Sequence, residues 1–96
     1  MSNELILTIN SAIMIPDQVM ARAVGNETVI LDLASGTYFG LDPVGARVWT
    51  LIGEGKSLAQ ACDVMVAELD VTRDVLEQDV LDLARDLVEK KLISLG

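Results

Sequence analysis

A short β-hairpin that runs directly into a helix occupies residues 29–49, and no other feature of the chain constrains its fold as much. The two predicted strands read VILDL and TYFGL, and Ser35 and Gly36 between them form a turn signal. Asp42 ends the second strand and suits the N-cap of a helix, while Pro43 suits its first turn. This succession predicts a small α+β domain.

Hydrophobic spacing predicts the remaining elements. Apolar residues that alternate with others predict strands at residues 5–9, 19–24, 29–33 and 37–41. Apolar residues three and four positions apart predict helices at residues 43–52, 58–69 and 73–90. We therefore expect one winged-helix-like domain, in which a three-stranded antiparallel sheet with an optional N-terminal strand packs on three helices. Its parts are an N-terminal strand-like segment at 1–17, the sheet at 18–41 and the three-helix half at 42–96.

Each predicted helix has a polar residue at its start and an apolar stripe along one side. The expected N-caps are Asp42, Ser57 and Thr72. The expected buried positions are Val44, Val48, Leu51 and Ile52 in the first helix, Leu58, Ala61, Cys62, Met65, Val66 and Leu69 in the second, and Leu76, Val80, Leu83 and Leu87 in the third. Residues 92–95 are expected to leave the last helix as a short extended tail.

Composition excludes several classes of function. The formal net charge is −8, from 15 acidic and 7 basic residues, which argues against nucleic acid because that binding depends on Lys and Arg. The chain has no His, the commonest general base and metal ligand. Cys62 is the single cysteine, and its place in an apolar stripe predicts an inert buried thiol. We therefore expect no metal site, no cofactor and no catalytic residue, so that the protein is not an enzyme.

The N-terminal residues lack the pattern of a targeting signal. Glu4 stands where a signal peptide needs positive charge, and Thr8, Asn10 and Ser11 interrupt the apolar run. No stretch approaches the roughly 18 consecutive apolar residues of a membrane span. We expect a soluble cytoplasmic protein without a membrane partner.

The strand at residues 37–41 has the composition of an edge that can accept another strand. It contains neither Pro nor a charged residue, the usual devices that block an edge, and Gly40 leaves room for a second backbone. Its unpaired N–H and C=O groups could then bind an added peptide strand. The residues alone leave a second interpretation open, in which the N-terminal segment covers this strand and the strand is purely structural.

The last predicted helix carries an acidic stripe next to its apolar one. Val75, Asp79, Asp82 and Asp86 follow at four-, three- and four-residue steps. Stacked carboxylates repel one another by a few tenths of a kcal/mol per pair, and a Lys or Arg of a bound peptide would relieve this cost. The alternative is an ordinary solvated helix face.

The order of these motifs resembles a known family. The motifs are the hairpin VILDL…GTYFGLD, then VGARVWTLI, then a helix that begins with Ser, and finally DVLDLARDL with LI after it. Over residues 19–95 they resemble the PqqD-like family of leader-peptide recognition domains, which serve the biosynthesis of ribosomally made, modified peptides. The resemblance implies that a precursor's leader adds as a strand to the open sheet edge, in a groove beside the last helix. The residues expected at that site are Thr37, Tyr38, Phe39, Gly40, Leu41, Val75, Leu76, Asp79, Val80, Asp82, Leu83 and Asp86.

The resemblance also implies partners. The chain looks most like the stand-alone leader-binding proteins of lasso-peptide pathways, whose partner is a separate leader peptidase. The alternatives are a chaperone that presents a precursor to a radical-SAM enzyme and, in another class, a small acidic interaction or regulatory protein. An open apolar edge can also pair with its own copy, so a weak or swapped homodimer is expected in the absence of peptide.

Overall fold

The computed structural model describes residues 7–95, which form an α+β domain. In chain order its elements are β1 (Ile13–Met14), β2 (Val19–Val24), β3 (Glu27–Asp32), β4 (Tyr38–Leu41), α1 (Pro43–Gly53), α2 (Leu58–Glu68), α3 (Arg73–Glu89) and β5 (Ser94–Leu95). The predicted three-stranded antiparallel sheet and three helices are confirmed.

The main sheet has the order β2-β3-β4, with both pairs antiparallel. Gly25 and Gly36 turn the chain between its strands with φ values of 62° and 78°, a left-handed conformation that favours glycine. In this described sheet β3 is central and β4 lies at an edge. The sequence therefore runs from an edge strand directly into α1.

A second sheet pairs β1 with β5, and it corrects the prediction for the N-terminal segment. A strand was expected at residues 5–9, of which 5 and 6 lie outside the described residues. Residues 7–9 are not a strand, because Thr8 and Ser11 bond each other in a turn and the carbonyl oxygen of Ile9 accepts a hydrogen bond from Ala59 N–H at 2.7 Å. The described part of this segment therefore lies against α2 and β5, and the interpretation that it covers β4 is wrong for residues 7–15.

The three helices begin at the predicted N-caps. The Asp42 carboxylate accepts a hydrogen bond from Gly45 N–H at 2.8 Å, and Thr72 caps α3 in the same way. Ser57 and Gln60 form a reciprocal capping box at the start of α2. Each such cap stabilises its helix by about 0.5–2 kcal/mol, so local sequence chemistry defines where the helical half begins.

The end of α3 is a Schellman motif that folds the chain back into the core. Lys91 is left-handed, with φ 61°, and donates to Val88, while Leu92 N–H donates to the carbonyl of Leu87 at 2.9 Å. Leu87 and Leu92 are both buried, which is the apolar contact that accompanies this motif. The predicted extended tail is thus a core element as well as strand β5.

Most predicted stripe positions are buried, and four are corrected. Val66 and Leu69 of the second helix are only half-buried at the margin of the core. Val44 was expected in the core but is 37% exposed, because Gly45 occupies the buried position in the first turn of α1. Leu83 is only half-buried, because Ala84 faces the core in its place. Both displaced side chains line the same surface groove. In the described residues no helix is long and apolar enough to cross a membrane.

Candidate functional site

Strand β4 has one unpaired edge in the described sheet. Its register with β3 pairs Phe39 with Ile30 and Gly40 with Val29, and Asp32 N–H donates to the carbonyl of Thr37 at 2.8 Å. Hydrogen-bonded and non-bonded pairs alternate along an antiparallel ladder. The bond at Thr37 therefore directs the backbone groups of Phe39 and Leu41 towards β3.

The same alternation fixes which groups face outwards. The N–H and C=O groups of Tyr38 and Gly40 point away from β3, towards the open edge. A Cβ placed on Gly40 would meet no atom within 4 Å, so the space beside this backbone is open. Two residues of β4 can thus bond to an added strand without disturbing the existing sheet.

A groove of about 580 Å³ runs beside this edge, between β4, the start of α1 and the middle of α3. The side chains of Phe39, Leu41, Val44 and Leu83 supply its apolar surface. At one end of the groove the α1 backbone comes close to β4 and α3. A Cβ on Gly45 would lie 3.2 Å from the Leu41 side chain and 3.4 Å from the Leu83 side chain. The groove is therefore largely apolar and lies directly beside the open edge of β4.

Charged groups line the rim of the groove unevenly. Asp79 and Asp82 lie on its α3 side. The Asp82 carboxylate accepts hydrogen bonds from Gln78 at 3.0 Å and from Arg85 at 3.2 Å, whereas Asp79 has no ion-pair partner among residues 7–95. The Nζ of Lys90 lies 5.9 Å from the centre of the Phe39 ring, a cation–π geometry. The acidic stripe expected from the sequence is thus partly neutralised within its own helix.

The structure brings half of the expected site residues to the groove. Those that line it are Phe39, Gly40, Leu41, Asp79, Asp82 and Leu83. Leu76 and Val80 are 2% and 1% exposed, so they support the groove from the core and are not accessible to a peptide. Thr37 is half-buried just before β4, and Tyr38 is 73% exposed on the opposite face of the sheet from Phe39. Val75 and Asp86 are exposed outside the lining.

Three lining residues were missed by sequence reasoning: Asp42, Val44 and Gly45. The sequence contains a signal for these residues. Asp42 directly follows the edge strand, so the first turn of α1, with Val44 and Gly45, lies next to a groove beside that strand. Val44 was instead assigned to the core from its four-residue spacing to Val48.

The remaining strong ionic contacts hold helices together. Arg47 makes a two-fold hydrogen bond to Glu68, which raises the pKa of Arg47 and lowers the pKa of Glu68. Hydrogen bonds from Arg73 to Asp63 and Glu77 raise the pKa of Arg73. Within residues 7–95 no group of three His, Cys, Asp or Glu side chains could hold a metal ion. The groove beside β4 is the candidate site because it lies along the unpaired edge of the described sheet.

The chain is similar to a known protein family and to proteins of known structure. The family model described as "Coenzyme PQQ synthesis protein D (PqqD)" matches residues 27–93. None of the curated proteins is significantly similar to the chain in sequence. The solved structure of TbiB1 in complex with the TbiA(beta) leader peptide is 42% identical, with a TM-score of 0.78, and the match covers 84% of this chain and 94% of TbiB1.

A second solved structure has the same fold. It is lasso peptide synthetase B1 complexed with the leader peptide, at 23% identity and a TM-score of 0.79, and the match covers 88% of this chain and 99% of that protein. At this identity the likeness concerns the fold alone.

Proposed function

This chain belongs to the PqqD family, and from that premise we propose that it binds the leader segment of a ribosomally synthesised precursor peptide. The observation that carries the proposal is the open, uncharged edge of β4 beside an apolar groove. TbiB1, which is 42% identical, was solved with a leader peptide bound. The leader is the ligand class for which an edge and groove of this kind are suited.

Binding proceeds by strand addition. The outward N–H and C=O groups of Tyr38 and Gly40 supply the main-chain hydrogen bonds, each worth about 0.5–1.5 kcal/mol net. Alternate side chains of the added strand enter the groove, against Leu41, Val44 and Leu83. Main-chain bonds supply affinity for any extended segment, and the groove supplies selectivity.

The bound leader is then delivered to a separate processing enzyme in the cytoplasm, and a leader peptidase of a lasso-peptide pathway is the partner we propose. The likeness to TbiB1 over 94% of its length supports the leader as the ligand. In this proposal the chain is an adaptor, and the enzyme that receives the leader performs the chemistry.

The family match favours a second candidate. PqqD is described as a coenzyme PQQ synthesis protein, and the notable alternative is therefore a chaperone that presents its precursor to a radical-SAM enzyme. Both roles use the same groove and differ in the enzyme that receives the peptide. Addition of the protein to a leader peptidase and to a radical-SAM enzyme, each with its precursor, separates them by which reaction it accelerates.

An NMR titration tests leader binding directly. The probe is the TbiA(beta) leader peptide, added to ¹⁵N-labelled protein. We expect the largest amide shifts at Tyr38 and Gly40, with further shifts at Asp79 and Leu83 across the groove. Shifts confined to α2 and the β1–β5 sheet, or no shifts at millimolar peptide, would contradict the proposal.

A further inference from the structure

The groove beside β4 is electrically polar along its length. Strand β4 and α3 run side by side in opposite directions, since Phe39 lies near Lys90 whereas Leu41 and Asp42 line the groove with Asp79 and Asp82. The Leu41 end of the groove therefore carries carboxylates, whereas the Lys90 ammonium group lies next to Phe39, beyond the lining residues of α3 and one helical turn after Asp86. An extended peptide in the groove meets both ends at once.

Among residues 7–95, Asp79 is the carboxylate of the acidic end that no hydrogen bond or ion pair engages. Asp42 caps α1 through Gly45 N–H at 2.8 Å, and Asp82 is engaged by Gln78 and Arg85. Asp79 makes no ion pair with any residue in the described part of the chain. Asp79 is therefore the main group at this end that can bind a cation. Asp82 contributes the part of its negative charge that Arg85 does not neutralise.

The basic end depends on Lys90. Its ammonium group lies over the Phe39 ring and makes no ion pair within residues 7–95. An aromatic face attracts a cation weakly and leaves its outer hydrogens unpaired. A carboxylate of a bound peptide could therefore bind Lys90 without breaking an existing salt bridge.

The distance along α3 between the acidic residues and Lys90 determines how many residues must separate the two charged side chains of the peptide. At about 1.5 Å per residue of helix, Lys90 lies roughly 12 Å from Asp82 and 16 Å from Asp79 along α3. An extended strand covers about 3.4 Å per residue, so about four residues span the distance to Asp82 and about five span the distance to Asp79. Residues four apart also project from the same face of a strand, so both side chains face α3.

We propose that this groove selects leader segments in which a Lys or Arg precedes an Asp or Glu by about four residues. The proposal rests on the proposed leader binding and on antiparallel addition to β4, the orientation of both existing strand pairs. A strand added in that direction enters at the Leu41 end, beside Asp79, and leaves at the Phe39 end, beside Lys90. The basic residue must then come first.

A peptide-display selection tests the charge order. Random peptides of about twelve residues are selected on the wild-type protein, on Asp79→Lys/Lys90→Glu and on the matched control Asp70→Lys/Arg22→Glu. The control exchanges one acidic and one basic residue outside the groove lining and leaves the net charge unchanged. The readout is the ratio of basic-first to acidic-first peptides at four-residue spacing.

We expect a ratio of at least about 4 for the wild type and the control, and an inverted ratio for the groove variant. An exposed ion pair changes affinity by about 1.4- to 5-fold, and the exchange converts two attractive pairs into two repulsive ones. The preference should fade at about 1 M salt. A wild-type ratio near 1, no enriched peptide, or the same order on the wild type and the groove variant would overturn the proposal.

Two further measurements keep the result interpretable. If the groove variant does not fold by circular dichroism, Asp79→Asn replaces it and should lose the basic preference while it keeps the acidic one. Titration with the TbiA(beta) leader peptide separates the two proposals. If the leader binds while the ratio stays near 1, only the proposed charge order is contradicted. If the leader fails to bind, the proposed function is contradicted.

Discussion

At the scale of single residues, Gly40 has the clearest role in the candidate site. Its N–H and C=O face the open edge, and no atom lies within 4 Å of the position that a Cβ would take. A change at Gly40 can therefore alter the added strand's hydrogen bonds without altering the packing of the domain.

We predict that Gly40→Pro weakens leader binding, because proline has no N–H to donate. The loss of one main-chain bond and the steric block beside it should lower affinity by at least about tenfold. Gly40→Ala is the matched control, since it keeps the donor and its Cβ enters open space. Fluorescence anisotropy with labelled TbiA(beta) leader peptide measures both. Equal affinity of a folded Gly40→Pro variant and the wild type would rule out β4 as the binding edge.

We predict that Cys62 is unreactive in the folded protein. The side chain is fully buried, and burial raises the pKa of its thiol, so little thiolate is present at neutral pH. Reaction with a chromogenic disulfide reagent should be slow in buffer and complete within seconds in denaturant. Fast reaction under native conditions would show that the α2–α3 packing opens readily.

At the scale of elements, caps and turns were predictable from the sequence because their chemistry is local. The N-caps at Asp42 and Thr72 and the hairpin strands were confirmed. The strand expected at residues 5–9 is wrong for its described part, residues 7–9. The strand that does form pairs Ile13 with Leu95, and no local pattern in the sequence predicts so distant a partner.

The candidate site was predictable only in part for the same reason. The composition of the edge strand indicated β4, and the resemblance indicated the groove. The exposure of Val44 depends on which side of α1 meets α3, and this is a property of packing rather than of spacing along one helix.

We predict that Lys91→Gly stabilises the junction between α3 and β5 relative to Lys91→Ala. Both variants remove the charge, but only glycine adopts the left-handed conformation at φ 61° without strain. The difference in free energy of unfolding should be about 1 kcal/mol. Urea denaturation of the two variants measures it. Equal midpoints would mean that the motif imposes no backbone cost.

We predict that Glu68→Gln makes stability less sensitive to acid. The hydrogen bond from Arg47 lowers the pKa of Glu68, so its stabilising effect is present above the ordinary carboxyl pKa and is lost as pH falls through the folded-state value. The wild type should therefore exceed the variant in Tm at pH 7 and lose that advantage at about pH 3. A constant difference at both pH values would show that the pair does not couple α1 to α2 through charge.

At the scale of the whole molecule, the domain is flat, with extents of 44 × 37 × 19 Å. The β2–β3 hairpin extends beyond the helices, since every residue of β2 after Val19 is exposed. At the opposite edge, β4 has no partner beyond β3 in the described sheet, so both a peptide and a second copy of the chain can pair with it.

We predict weak self-association of the free protein through β4, and its reversal by peptide. A leader that occupies the edge removes the backbone groups that a second copy would use. Light scattering over a concentration series, with and without TbiA(beta) leader peptide, measures this. Gly40→Pro should also reduce the association. A dimer that persists unchanged in saturating leader would place the contact elsewhere.

The pairing of Ile13 with Leu95 brings two positions that are distant in sequence next to each other. Antiparallel partners have Cα atoms about 5 Å apart, so residues 13–95 close almost into a ring. A linker of a few residues could join residue 95 to residue 13, and the exposed turn at Gly25 could supply new chain ends. Neither change touches β4 or α3. A domain rearranged in this way would keep the open edge of β4 and the groove beside it intact.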